Sequence, residues 1–259
     1  MQPENYKYKT IIVSDLHLGM KDAKVKELIT WLAERPTKTL ILNGDIIDGW
    51  RLRRSGKWNK KYTRFWKYLI RISLHTKSIY LRGNHDDFLE HITPFGFANF
   101  RVLNDYTIIS AKKKYFVIHG DVFDVVNKKL VWLSKFGASG YNILLAYNRF
   151  YNRRRLKKGL PYKSVSQEIK RKVKMASNMV GNFEEKAVAL AKNMEYDGII
   201  CGHIHTPADK MIDGIHYLNS GDWVETMSAL TEDFSGNWKI VRYQGEVQSH
   251  MQLKKRRRL

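Results

Sequence analysis

Lys9-Thr10-Ile11-Ile12-Val13-Ser14-Asp15-Leu16-His17 and Thr39-Leu40-Ile41-Leu42-Asn43-Gly44-Asp45-Ile46-Ile47-Asp48 share one pattern: a short apolar run that ends in a carboxylate. Between them Val25, Leu28, Ile29 and Leu32 recur at helical spacing, so the stretch reads as strand, helix, strand. A second helical pattern, with Phe65, Leu69 and Ile72 on one face, leads to a β-rich run at 78–81 and then to Gly83-Asn84-His85-Asp86. Repeated βαβ units predict an α/β fold with a largely parallel sheet. From about Arg101 the pattern changes. Short strands at 102–103, 106–109 and 115–118 flank Asn104-Asp105 and Lys112-Lys113-Lys114, which reads as a hairpin or meander.

Residues 122–195 read as a helical insertion in which aromatic and aliphatic positions interleave with arginine and lysine. Strands resume at 198–201 and are predicted again at 215–218, 224–230 and 238–243, before a basic tail at 254–259. The whole chain of 259 residues reads as one domain carrying that insertion.

Apolar residues make up 43% and charged residues 27%, which is ordinary globular usage and excludes a disordered chain. A net charge of +21 points to an anionic partner. Nucleic acid, an anionic phospholipid surface and a phosphorylated small molecule all satisfy it. The single cysteine, Cys201, excludes an intramolecular disulfide framework and suits a reducing, cytoplasmic setting. No stretch approaches the roughly 20 apolar residues of a bilayer-spanning helix, so any membrane contact is expected to be peripheral, on the inner face.

Five groups fall at the ends of predicted strands: Asp15-Leu16-His17, Gly44-Asp45 with Asp48, Gly83-Asn84-His85-Asp86, His119-Gly120-Asp121 and Gly202-His203-Ile204-His205. Loops beyond the carboxyl ends of strands in an α/β sheet converge on one crevice, so distant groups meet there. Carboxylate, imidazole and amide oxygen are ligands for manganese, iron and zinc. In an extended segment residues two apart point the same way, so Asp15 with His17, and His203 with His205, either face one metal or straddle two.

With these five groups in this order, the sequence resembles the calcineurin-type metallophosphoesterase superfamily. The resemblance implies two packed β-sheets flanked by helices. It assigns Asp15, His17 and His205 to one divalent metal and Asn84, His119 and His203 to the other, with Asp45 bridging. It also implies hydroxide attack on phosphorus between the two metals. His85 would serve the leaving oxygen, oriented by Asp48, with Asp121 or Asp86 steadying metal-bound histidines. Manganese is the expected metal, with iron and zinc as the alternatives.

Within the superfamily, Ser14-Asp15-Leu16-His17-Leu18-Gly19, Asn219-Ser220-Gly221-Asp222-Trp223-Val224-Glu225 and the insertion after His119-Gly120-Asp121 resemble UDP-2,3-diacylglucosamine pyrophosphatases of lipid A synthesis. That resemblance implies a nucleotide-lipid substrate, an acyl-chain lid in the insertion, and substrate contacts from Trp132, Tyr141, Arg149, Arg153, Arg154 and Arg155. Two departures stand against it. His85 occupies a place where arginine is expected in that group, and Gly49 follows Asp48 where many superfamily members carry arginine. The alternatives are a broader phosphodiesterase or nuclease and a non-catalytic binding module.

Overall fold

The computed structural model describes residues 5–126, 148–161 and 179–244. Twelve strands in these residues form two sheets. The first runs β12(Trp238–Arg242), β11(Ser228–Glu232), β1(Tyr8–Val13), β2(Thr37–Asn43), β3(Lys77–Leu81), β5(Phe100–Leu103), β4(Phe95–Phe97). Its four middle strands, β1, β2, β3 and β5, are parallel, as the βαβ reading expects. The second sheet runs β6(Asp105–Ser110), β7(Lys113–Ile118), β8(Gly198–Cys201), β10(Ile215–Asn219), β9(Ala208–Ile212).

The strand pattern of period two sorts the core. Ile12, Ile41, Ile79 and Leu230 of the first sheet meet Ile108, Val117, Ile200 and Leu218 of the second. Ile11, Leu40 and Tyr80 alternate with them along the same strands and are equally buried. Tyr80 reaches the ring of Trp66 on α3(Lys60–Ile72), and α3 packs beside α1(Val25–Ala33). α1 buries Val25, Leu28, Trp31 and Leu32, and α3 buries Tyr62, Phe65 and Leu69.

Some expectations need correction. β5 pairs with β3 in the first sheet, so only β6 and β7 form the hairpin. The strand expected at 224–230 begins only at Ser228. Asp222 takes the backbone N–H groups of Val224 and Glu225 on its own carboxylate and so withholds them from a ladder. Two short edge strands, β4 and β9, and the short helix α2(Gly49–Ser55) carried too little periodicity to be read.

Two compact units are distinguished, 1–124 with 179–242, and 125–178 with 243–259. In the second unit residues 148–157 form a helix, α4. The next helix, α5(Met179–Asn193), falls within the span read as the insertion, but its packing assigns it to the first unit. Phe183, Ala187, Val188 and Ala191 pack there on Phe116, Ile199 and Tyr217 of the second sheet. No helix among the described residues is long and apolar enough to cross a membrane.

Ile200 is fully buried between the two sheets. Ile200→Ala should cost about 2–5 kcal/mol. Urea unfolding should show a lower midpoint at an unchanged slope.

Candidate metal centre

All five motif groups leave the carboxyl ends of strands: β1, β2 and β3 of the first sheet, β7 and β8 of the second. At five of these residues the backbone is left-handed, not extended as the spacing had implied. Asp15, His17, Asp45, His203 and His205 all have positive φ, between 50° and 64°. Non-glycine residues adopt this region at a cost, and such residues cluster at functional sites. Gly44, at φ +79°, makes the close approach possible. A Cβ on it would lie 2.3 Å from the His119 ring.

The ligand atoms assemble into two groups, each with its atoms within 4.8 Å of one another: Asp15, His17 and His205, and Asp45, His119 and His203. His203 and His205 therefore straddle the two groups. Asp45 faces both of them. Its Oδ2 lies 3.7 Å from His17 Nε2, and its Oδ1 lies 3.5 Å from His119 Nε2. Asn84 Oδ1 is buried and makes no hydrogen bond among the described residues, and the same holds for His119 Nε2. His119 Nδ1 is 2.9 Å from the Asn43 carbonyl, which can only accept, so Nδ1 carries the proton. In the neutral ring Nε2 then offers its lone pair. Orphaned oxygen and nitrogen donors of this kind fit divalent metals.

Charge is concentrated accordingly. Burial would raise the Asp15 carboxyl, but the neighbouring His205 brings it down to about 2. Burial lowers His17 to about 4. For His119 burial also favours the neutral ring, yet the Asp45 charge overrides it and carries the group up to about 10. Asp45 itself is held well below the carboxylate range by the surrounding imidazoles, against its burial.

His85 stands at the edge of this centre. Its Nδ1 is 3.2 Å from Asp48 Oδ1, and its Nε2 is 3.9 Å from Asp45 Oδ2. Burial lowers its proton affinity, while the Asp48 hydrogen bond and the Asp45 charge raise it further, so the net direction is upward. His17, Asp48 and His85 also lie close enough to hold an ion. Both Asp48 oxygens have other partners, however: the Arg51 N–H at 2.9 Å with His85, and the Arg51 guanidinium at 3.2 Å.

Several functional residues escaped the sequence reading. Arg51 pairs with Asp48, and the Trp50 ring lies 4.1 Å from the His85 ring, tilted by 35°. Both sit on α2, for which Asp48 is the N-cap. Gly49 cannot carry the expected arginine, since a Cβ there would lie 2.8 Å from the His85 carbonyl oxygen. The guanidinium comes instead from Arg51, and its i, i+3 spacing from Asp48 was the available signal. Among the described residues Asp86 makes no hydrogen bond to a histidine. It accepts the backbone N–H groups of Ile46 and Ile47 and the Tyr80 hydroxyl, clamping the Asp45 loop. The run 219–225 forms a turn beneath Asp15, whose carbonyl accepts the Trp223 N–H at 3.1 Å. Ser14 joins that turn through Ser220 and Gly221.

Arg149, Arg153, Arg154 and Arg155 all lie on α4 of the second unit, where Arg154 stacks over Phe150 at 4.4 Å and Arg155 over Tyr151 at 5.7 Å. Trp132 and Tyr141 lie outside the described residues, as does the basic tail.

These shifts set a pH dependence in the metal-free protein. His119 holds its proton up to about 10 against an ordinary 6.5, so its contribution to stability is complete below pH 6.5 and is lost as pH rises toward 10. The Tm of chelator-treated protein should fall across that window, and His119→Gln should flatten the fall. Saturating manganese should also flatten it, because a metal takes the deprotonated ring.

A family model described as calcineurin-like phosphoesterase matches residues 8–207. No curated protein sequence matches at a significant level. Among solved structures, an archaeal phosphodiesterase is 13% identical over 90% of this chain and 98% of its own, with a TM-score of 0.41. A Thermotoga maritima protein is 13% identical over 91% and 98%, with a TM-score of 0.43. A predicted phosphoesterase from Streptococcus pneumoniae is 14% identical over 90% and 97%, with a TM-score of 0.37. The span of the family match holds every ligand candidate from Asp15 to His205, and the chain belongs to the calcineurin-like phosphoesterase family of metal-dependent phosphoester hydrolases.

Proposed function

We propose that this chain is a two-metal hydrolase of phosphodiesters or diphosphates. The observation that carries the reading is the Asp45 carboxylate, one oxygen facing each of two ligand groups. Asp15, His17 and His205 would hold one ion, and Asn84, His119 and His203 the other. Two ions bound there would clamp phosphate oxygens and acidify a water for in-line attack. Manganese heads the candidates for this donor mix, with iron and zinc behind it.

The chain's own contribution centres on His85. Asp48 fixes its Nδ1, Trp50 covers one face, and the His17 ring stands edge-on at 4.7 Å. The imidazole is thereby held with Nε2 toward Asp45, where it would deliver its proton to the leaving oxygen as the phosphorus–oxygen bond breaks. The Arg51 guanidinium, 3.2 Å from Asp48 Oδ2, holds that carboxylate in its orientation, acting as a positioning residue.

For the substrate we favour the diphosphate of UDP-2,3-diacylglucosamine or a related nucleotide-lipid, handled at the inner face of a membrane. Support comes from the run 219–225, which buttresses Asp15 as an integral part of the site. The histidine at position 85 favours a second reading, a broader phosphodiesterase acting on nucleotides.

Protein incubated with UDP-2,3-diacylglucosamine and manganese should release UMP and the lipid monophosphate, read by mass spectrometry, and chelation should stop it. An intact lipid beside a hydrolysed generic phosphodiester would remove the lipid assignment and keep the enzyme class. His85→Ala should lower kcat by about 10²–10⁴-fold on substrates with poor leaving groups and far less on p-nitrophenyl esters. Arg51→Ala should show the same leaving-group bias at about a tenfold loss, and should add nothing in the His85→Ala background.

A further inference from the structure

Residues 49–77 contain no aspartate or glutamate, although they form two helices and their connections. On α3, Lys60, Arg64, Lys67 and Arg71 recur at i, i+4, i+7 and i+11, which aligns them in one stripe. They lie opposite the buried Tyr62, Phe65 and Leu69. All four are exposed, and none has an ion-pair partner among the described residues.

A second stripe runs beside the first. Trp66 and Ile70 follow at i and i+4, and Leu74 lies in the turn just past the helix end, with Ile70 54% and Leu74 65% exposed. It continues onto the edge of the first sheet. Asn99, between β4 and β5, donates to the Leu74 carbonyl at 3.4 Å, and β4 turns Phe95 and Phe97 outward at 49% and 47% exposure. Phe95, Phe97, Phe100 and Arg101 line a groove of about 330 Å³ there. Exposed sheet edges are normally guarded by charge or cover, and this one presents phenylalanines.

A cationic ridge flanked by exposed aliphatic and aromatic side chains is the arrangement of an interfacial helix. Nucleic acid would use the ridge and the aromatic rings, but Ile70 and Leu74 offer it nothing to stack on or hydrogen-bond. A bilayer uses both parts: anionic headgroups meet the ridge while the apolar flank enters the acyl boundary. We propose that α3 and the β4–β5 edge form a docking surface for an anionic lipid bilayer. The inference deepens the membrane-face reading proposed above and does not depend on which phosphoester is hydrolysed.

The test is sedimentation of the purified full chain with vesicles of phosphatidylcholine alone and of phosphatidylcholine mixed with phosphatidylglycerol, at rising salt. Binding is expected only to the anionic vesicles, weakening as salt rises. At about fivefold per cation, Arg64→Gln with Lys67→Gln and Arg71→Gln should weaken it about a hundredfold. Ile70→Ser with Leu74→Ser should weaken it at an unchanged salt dependence. Lys112→Gln with Lys113→Gln and Lys239→Gln removes equal charge elsewhere and should change little. Circular dichroism melting confirms that each variant is folded. An equal loss in the control triple would reduce the effect to net charge and overturn the proposal. So would retained binding in the α3 triple with loss in a chain ending at residue 253, which would assign binding to the tail. Failure to bind vesicles, with α3-dependent binding of a single-stranded oligonucleotide, would make the surface a nucleic-acid track instead.

Discussion

The Asp45 carboxylate is the point on which the centre depends. It is buried, faces one ligand group with each oxygen, and takes the His85 backbone N–H on Oδ1 at 2.8 Å. A charge in so little solvent governs its surroundings. It drives His119 upward, contributes to the rise at His85, and with burial lifts Asp86 to about 7. An isolated buried anion is costly, and converging imidazoles or metal ions are what make such a site sustainable.

The strain at Asp15, His17, Asp45, His203 and His205 has to be held by the rest of the fold. Parallel strands deliver each residue to the crevice, but the left-handed backbone there would relax without outside partners. Asp86 ties down the loop after β2 through two backbone N–H groups. Asp15 Oδ2 accepts the His203 N–H at 3.0 Å, joining the ends of β1 and β8 across the two sheets. Trp223, fully buried against Trp31, anchors the turn whose N–H holds the Asp15 carbonyl. The two-sheet core and the centre are thus one mechanical unit.

Most of this was legible in the chain because its signals are local. Apolar runs punctuated by glycine and a ligating side chain report a strand and the loop beyond it, and helical periodicity at Val25, Leu28 and Leu32 reports the crossover between. The signals failed where elements were short or where a side chain competed with the backbone. β4 has three residues, α2 buries none of its own, and Asp222 takes N–H groups that the pattern at 224–230 would have given to a strand.

By itself, then, the sequence determined the α/β class and the order of the central strands along the chain, because each is written in spacing and residue type; the candidate ligands came from the five motif groups and the family they resemble. Only the tertiary structure decided that the guanidinium on Asp48 comes from Arg51, that Asp15 holds the His203 N–H, and that Asp86 braces the loop after β2. Two of these relations join residues far apart in the chain, Ile47 with Asp86 at 39 positions and His203 with Asp15 at 188. Nothing in local periodicity encodes those two, since they arise when distant strands close on a common core.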